Sequence, residues 1–131
     1  MDSVTLTFRR SMLDHALASR PKIALYSQEA QLDEKTVRYT SDAEVRGDGY
    51  SAGGMVLTGG RVEATADGFA LTFDDPMLNN VTITARMALV YLADDAGRAV
   101  RVIDFGKNIT STNGPFRVTF PTAEEGGIIS V

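Results

Sequence analysis

From Met55 onward the sequence alternates short apolar stretches with turn-forming residues. Asp67-Gly68 and Asn113-Gly114 are the sharpest turn signals, because Asp, Asn and Gly accept the positive φ angles that tight hairpins need. Short strands at regular spacing with such turns predict a mainly β fold, an antiparallel, jelly-roll-like β-sandwich, with a small closed β-barrel as the alternative. The expected strands are Met55–Leu57, Val62–Thr65, Phe69–Phe73, Val81–Leu92, Ala99–Phe105, Phe116–Phe120 and Ile128–Val131.

The alternation within these strands indicates which faces are buried. Val81–Arg86 and Phe116–Phe120 alternate apolar and polar residues, so each is expected to have one face in water. Met87–Leu92 is apolar on both faces. It is therefore expected to be the central strand of the core, or to have one face against another subunit.

The N-terminal third has a different pattern. Apolar residues at a helical period predict one short helix over residues 5–19, which Pro21 ends. Lys22–Tyr26 reads as the first strand, and a polar stretch follows from Ser27 to Asp48. Since about 20 residues of pure loop are uncommon in a compact domain, part of that stretch, in Thr36–Tyr39 or Ala43–Val45, is expected to pair as short edge strands.

Length and composition fit one soluble domain. The 131 residues predict a single domain, with an N-terminal helix or arm over 1–21 and a β-sandwich over 22–131. A net charge of −4 argues against a nucleic-acid partner, and the absence of cysteine excludes disulfides and thiolate metal sites. No apolar run approaches the roughly 20 residues that span a bilayer, and no signal peptide is apparent. We therefore expect no membrane partner and no export.

Catalytic chemistry finds little support in the sequence. A serine triad would need the one histidine, His15, as its base, yet no Gly-x-Ser-x-Gly elbow is present, so His15 is expected to be an ordinary helix-face residue. The acidic pairs Asp74-Asp75, Asp94-Asp95 and Glu124-Glu125 lie at turns, where acids solvate hairpins, and no calcium loop motif occurs. We expect no catalytic residue, no metal site and no cofactor, and hence no enzyme.

The segment Glu44–Gly54 holds four of the twelve glycines around one aromatic residue, Tyr50. It lacks the Walker sequence and leads into a strand, whereas phosphate loops lead into a helix. Its Arg46-Gly47-Asp48 tripeptide is interpreted as coincidence, since these residues are common in turns. We interpret the segment as a structural joint, with Tyr50 directed inward or offered to a neighbouring molecule.

Several motifs, in order along the chain, resemble a family of small virion structural proteins of tailed bacteriophages. Over roughly residues 22–131, and in a preceding helix with Leu13-Asp14-His15, the resemblance rests on Ile23–Tyr26, Glu44–Gly54, Thr84–Arg86, Ala88–Tyr91, Asp104–Gly106, Thr110–Gly114 and Phe116–Pro121. The Gly-Tyr segment and Asp104-Phe105-Gly106 are its most specific parts. The resemblance implies a virion component, made in the host cytoplasm, rather than an enzyme.

Three functions follow as hypotheses. The first is a capsid decoration (cement) protein that self-associates, as a trimer by preference, and binds the major capsid protein or other virion proteins between capsomers. The second is a component of the tail, collar or fibre base. The third is a receptor- or carbohydrate-binding module that uses exposed Tyr39 and Tyr50. Because interface cores favour aromatic residues and methionine, the candidate interface residues are Phe8, Met12, Tyr50, Met55, Met77 and Leu78.

Overall fold

A computed structural model describes residues 3–131. One helix precedes seven strands, and a single 3₁₀ turn, Ala123–Glu125, comes before the last strand. The elements are α1 (Leu6–Ala18), β1 (Pro21–Tyr26), β2 (Met55–Val56), β3 (Arg61–Ala64), β4 (Phe69–Thr72), β5 (Met77–Leu92), β6 (Arg98–Arg117) and β7 (Ile129–Ser130).

The strands form two antiparallel sheets that share one core. The first sheet has the order β2-β1-β5-β6 and the second the order β3-β4-β7. Ile23 and Val90 from the first sheet lie in the same buried cluster as Leu71 and Phe73, from β4 and just after it. The β-sandwich with one short N-terminal helix is confirmed, whereas the closed-barrel alternative is wrong for the described residues, because their strands form two separate sheets. The jelly-roll likeness stays a prediction.

Helix α1 covers one side of the sandwich. Thr5 caps it, since its side-chain oxygen accepts the Phe8 N–H at 3.3 Å. Leu13 and Ala16 are buried against the core, while the opposite side of the helix is exposed. The helix predicted from the apolar period is confirmed, and the chain passes into β1 at Pro21.

Strand β5 is the centre of the larger sheet, since it pairs with β1 on one side and β6 on the other. Ala88 and Val90 face the main core between the sheets. Leu89 and Tyr91 face a second buried cluster with Leu32, from the 27–54 segment. The doubly apolar Met87–Leu92 is therefore covered on both faces within the chain.

Strand β6 corrects the predicted strand boundaries. Phe116–Phe120 was expected to be a separate strand after a turn at Thr112–Pro115, but β6 continues without a hairpin to Arg117. Asn113 does take a positive φ of 48°, yet its N–H donates to the Thr82 hydroxyl at 2.9 Å and the chain stays beside β5. At Asn113-Gly114 the chain therefore forms a β-bulge instead of the predicted hairpin turn. β5 likewise starts at Met77 and not at Val81.

The polar stretch between Ser27 and Asp48 pairs at two points. Glu44 forms a bridge to Tyr26, and Arg38 forms one to Arg98. Both contacts lie inside the two segments expected to pair, although neither extends into a strand. This stretch therefore stays attached to the larger sheet at the end of β1 and at the start of β6.

Candidate functional site

The side chain of Glu44 lies at the centre of a hydrogen-bond cluster beside β1. One carboxylate oxygen accepts the Tyr39 hydroxyl at 2.5 Å. The other accepts the Tyr50 hydroxyl and the backbone N–H of Gly53, the latter at 2.8 Å. Three donors therefore hydrogen-bond a half-buried carboxylate, as a charged group away from water requires.

All four tyrosines of the chain take part in or border this cluster. The buried Tyr26 donates its hydroxyl to the Thr40 carbonyl at 2.6 Å, and Tyr91 donates to the Gly53 carbonyl at 2.7 Å. The rings of Tyr39 and Tyr91 lie 4.8 Å apart between centroids. The cluster thus joins the polar stretch, the glycine segment and the central sheet.

The environment keeps these phenols protonated. Burial raises the pKa of Tyr26, Tyr39, Tyr50 and Tyr91 above the ordinary value for tyrosine, and the negative charge of Glu44 raises it further. A phenol that serves as a proton donor in a reaction would need a pKa nearer neutrality. The hydroxyls of the cluster instead hold the polar stretch, the glycine segment and the central sheet together.

The glycine segment follows a path that other residues do not fit. A Cβ at Gly54, where φ is +78°, would overlap the Ile23 carbonyl, and a Cβ at Gly47 would overlap that of Thr82. The Asp48 carbonyl accepts the Thr82 N–H at 2.9 Å. The exposed Arg46-Gly47-Asp48 tripeptide is therefore hydrogen-bonded to β5. The contacts of Glu44–Gly54 with β1 and β5 agree with its interpretation as a structural joint.

A serine, the histidine and an aspartate do meet at the C-terminus of α1. His15 Nε2 lies 3.2 Å from the Asp95 carboxylate and 3.5 Å from the Ser19 hydroxyl. In a catalytic triad the serine and the acid contact different ring nitrogens, whereas here both lie nearest the same one. Ser19 also donates to the His15 carbonyl at 2.7 Å. The contacts are those of a helix end and differ from those of a nucleophilic site.

The acidic pairs at the turns bind structural partners. Asp75 accepts the Phe120 N–H at 2.8 Å and pairs with Arg117 at 3.1 Å. Asp95 pairs with Arg98 at 3.2 Å, and Glu125 completes a capping box with Thr122. Among residues 3–131 there is no group of three or more acidic, histidine or cysteine side chains placed to hold a metal ion.

A cleft of about 640 Å³ lies beside the start of α1 and the end of β7. The Arg9 guanidinium lines it and donates to the Asp67 carbonyl at 2.9 Å. Glu124 and Ser130 line the cleft as well. The ionisable side chains among its lining residues are Arg9, Asp67 and Glu124.

The structure divides the predicted interface residues into two groups. Phe8, Met12 and Met77 are exposed. Tyr50, Met55 and Leu78 are half-buried and pack against the main core. Tyr39 and Tyr50, expected to be exposed for ligand binding, are half-buried with their hydroxyls on Glu44.

Comparisons with protein-family models, with curated proteins and with solved structures gave no match. Across residues 3–131, no helix has the length and apolar character to cross a membrane.

Two features escaped the sequence interpretation. Glu44 gave no signal as the centre of a cluster, because the tyrosines at positions 26, 39, 50 and 91 follow no spacing that would bring them together. The full length of β6 was also missed, because the sequence pattern divided this strand at Asn113. Both depend on contacts between residues far apart in sequence.

Proposed function

We propose that the protein is a non-enzymatic structural component of a tailed-bacteriophage virion, and specifically a capsid decoration protein that binds the outer shell between capsomers. The resemblance of its motifs to small virion proteins supports this proposal. The absence of a nucleophilic site or metal cluster in the described residues is compatible with it.

The observation that carries the proposal is the apolar surface at the N-terminus. Four large apolar side chains within residues 4–12 are exposed: Val4 at 55%, Leu6 at 54%, Phe8 at 58% and Met12 at 41%. Phe8 and Met12 are four residues apart in α1 and therefore lie on one face of the helix. A soluble monomer rarely exposes such a patch unless a partner covers it.

The rest of the molecule suits a passive, stable role. Many acidic side chains form ion pairs or caps, and the tyrosine hydroxyls form internal hydrogen bonds. A decoration protein needs a rigid fold that presents one surface repeatedly. Many copies bind one lattice, so a modest interface per copy is enough for a long-lived assembly. Self-association as trimers would strengthen the binding further, because each trimer makes several contacts at once.

Two variants test the surface. Phe8→Ser with Met12→Ser removes the apolar face and leaves Leu13 and Ala16 in the core. Val37→Ser changes an apolar residue in a different segment that is even more exposed, at 66%. We expect the double variant to fold but to be lost from purified particles, and Val37→Ser to be incorporated normally. Circular dichroism and thermal unfolding of the free proteins verify that both are folded.

Copy counting by mass spectrometry of purified particles tests the location. Hundreds of copies per particle, with reduced heat resistance of particles that lack the protein, are expected for a decoration protein. A handful of copies would instead place it in the tail, collar or fibre base. Complete absence from the purified particle would refute the proposal.

A further inference from the structure

Residues 27–43 form a loop whose two ends are joined. At its base the Ser27 N–H donates to the Ala43 carbonyl at 2.8 Å, next to the bridge between Tyr26 and Glu44. Ala43 has a positive φ of 61°, a conformation that alanine rarely adopts. We refer to residues 27–43 as the strap. Because its ends are held together, the strap can move without a change in the path of β1 or of the glycine segment.

The strap packs in a small core of its own. Leu32 is its one fully buried apolar side chain, and Ala30 and Tyr39 pack beside it. Together they cover the outer face of β1 and β5, which presents Ala24, Tyr26, Leu89 and Tyr91. Within the described chain, no residue of the strap belongs to the main core between the two sheets. The sandwich therefore keeps its own core when the strap leaves.

Contacts around Tyr39 hold the strap closed. The Tyr39 hydroxyl donates to Glu44, outside the strap, at 2.5 Å, and the Tyr39 N–H donates to the Gly97 carbonyl at 2.8 Å. Beside it, the Ala99 N–H donates to the Val37 carbonyl at 2.9 Å. The strap itself contains no strand, whereas β5 is paired on both sides.

A region with few buried contacts and little regular backbone pairing opens locally at a smaller free energy than the whole domain needs to unfold. We propose that the strap opens as one unit about its base while the sandwich stays folded, and that it thereby uncovers the outer face of β1 and β5. The closed strap keeps Leu89 and Tyr91 out of water, and the open strap presents an apolar surface that the closed form lacks. The proposal does not depend on the virion role, since it concerns the folding of this chain alone.

Native-state hydrogen exchange, followed by NMR, tests the proposal. The Tyr39 and Ala99 amides report on the strap, because their hydrogen bonds join it to the hairpin between β5 and β6. The β5 amides report on the sandwich. We expect the Tyr39 and Ala99 amides to share one opening equilibrium and to exchange at least about tenfold faster than the β5 amides. Exchange of these two amides as slow as that of β5 would overturn the proposal.

Two matched variants show whether the strap moves as a unit. Leu32 and Leu13 are both buried, but Leu32 packs in the small core and Leu13 in the main one. Leu32→Ala should accelerate exchange at Tyr39 and Ala99 by the same factor, at least about tenfold. Unchanged rates would mean that the two amides fluctuate independently of the strap, contrary to the proposal.

Leu13→Ala should accelerate exchange of the β5 amides and leave Tyr39 and Ala99 unchanged. Equal acceleration of all these amides would show that the strap opens only when the whole domain unfolds, which would overturn the proposal. Ile128→Val makes a smaller change in the same main core, and it replaces Leu13→Ala if that variant does not fold.

A disulfide between positions 38 and 98 provides a lock. Arg38 and Arg98 face each other between the two backbone hydrogen bonds of the strap, as a non-hydrogen-bonded pair with Cα atoms about 4.5 Å apart. That separation lies within the range of a disulfide, and the chain has no other cysteine. In the variant Arg38→Cys with Arg98→Cys, oxidation should slow exchange at Tyr39 and Ala99 to the rate of the β5 amides, and reduction should restore it. Exchange that is the same in both redox states would contradict release of the strap.

Discussion

The Tyr50 hydroxyl donates to a carboxylate oxygen of Glu44 and accepts the backbone N–H of Leu25 at 3.0 Å. The phenol thereby binds the β1 backbone between the two segments that pair with this edge, β2 at Lys22 and Ile23 and the bridge from Glu44 to Tyr26. One side chain thus connects the glycine segment to the end of β1. The arrangement gives a specific reason for an aromatic hydroxyl in a glycine-rich sequence.

Tyr50→Phe tests this connection. The variant keeps the ring but leaves the Leu25 N–H without a partner and removes one of the two donors to a Glu44 oxygen. The free energy of unfolding is expected to fall by about 1–3 kcal/mol, the range for unsatisfied polar groups. Urea denaturation measures the loss. Tyr39→Phe is the matched control, since it removes one hydrogen bond to Glu44 and none to the backbone, and should cost about 1 kcal/mol. Equal losses in the two variants would contradict the special role of Tyr50.

Glu44→Gln tests the centre of the cluster. Glutamine has the same shape, but its amide nitrogen cannot accept a hydrogen bond from Tyr39, Tyr50 or Gly53. We expect the free energy of unfolding to fall by about 1–3 kcal/mol. In a double-mutant cycle with Tyr50→Phe the two losses should be less than additive, because both remove the same contact. Fully additive losses would mean that the two side chains stabilise the fold independently.

Local patterns were sufficient to predict most of the β fold. The alternation of Val81–Arg86 and Phe116–Phe120 matches the buried and exposed faces in the structure. The hairpin between β5 and β6 turns at residues 93–97, where the acidic pair Asp94-Asp95 was predicted to lie at a turn. Periodicity of this kind reports which face meets the core. It needs no knowledge of the partner strand.

Contacts between distant segments explain what was missed. Asn113-Gly114 has the composition of a hairpin turn, but the Thr82 side chain binds the Asn113 N–H and keeps the chain along β5. A single sequence gives no measure of such pairings, so this bulge could be found only in three dimensions.

Gly54→Ala separates backbone strain from steric overlap. Gly54 and Gly106 have nearly the same φ, +78° and +80°, but a Cβ overlaps the Ile23 carbonyl at Gly54 and meets nothing within 4 Å at Gly106. Gly106→Ala is expected to lower the free energy of unfolding by about 1 kcal/mol through the left-handed backbone alone. Gly54→Ala should cost roughly a further 1–3 kcal/mol from overpacking. Chemical denaturation of both variants measures the difference, and indistinguishable values would show that the segment can move away from β1.

Alkaline pH should unfold the protein through its tyrosines. Burial and the Glu44 charge raise the pKa of Tyr26, Tyr39, Tyr50 and Tyr91 in the folded state, whereas an unfolded tyrosine has a pKa of about 10. The folded state therefore binds protons more tightly, so the stability from these groups is complete below about pH 10 and falls as the pH rises above it. A pH titration that records phenolate absorbance and far-UV circular dichroism together should show both signals changing in one transition. Phenolate formation near pH 10 with the β signal intact would contradict the buried cluster, and Glu44→Gln should move phenolate formation to lower pH because it removes the negative charge.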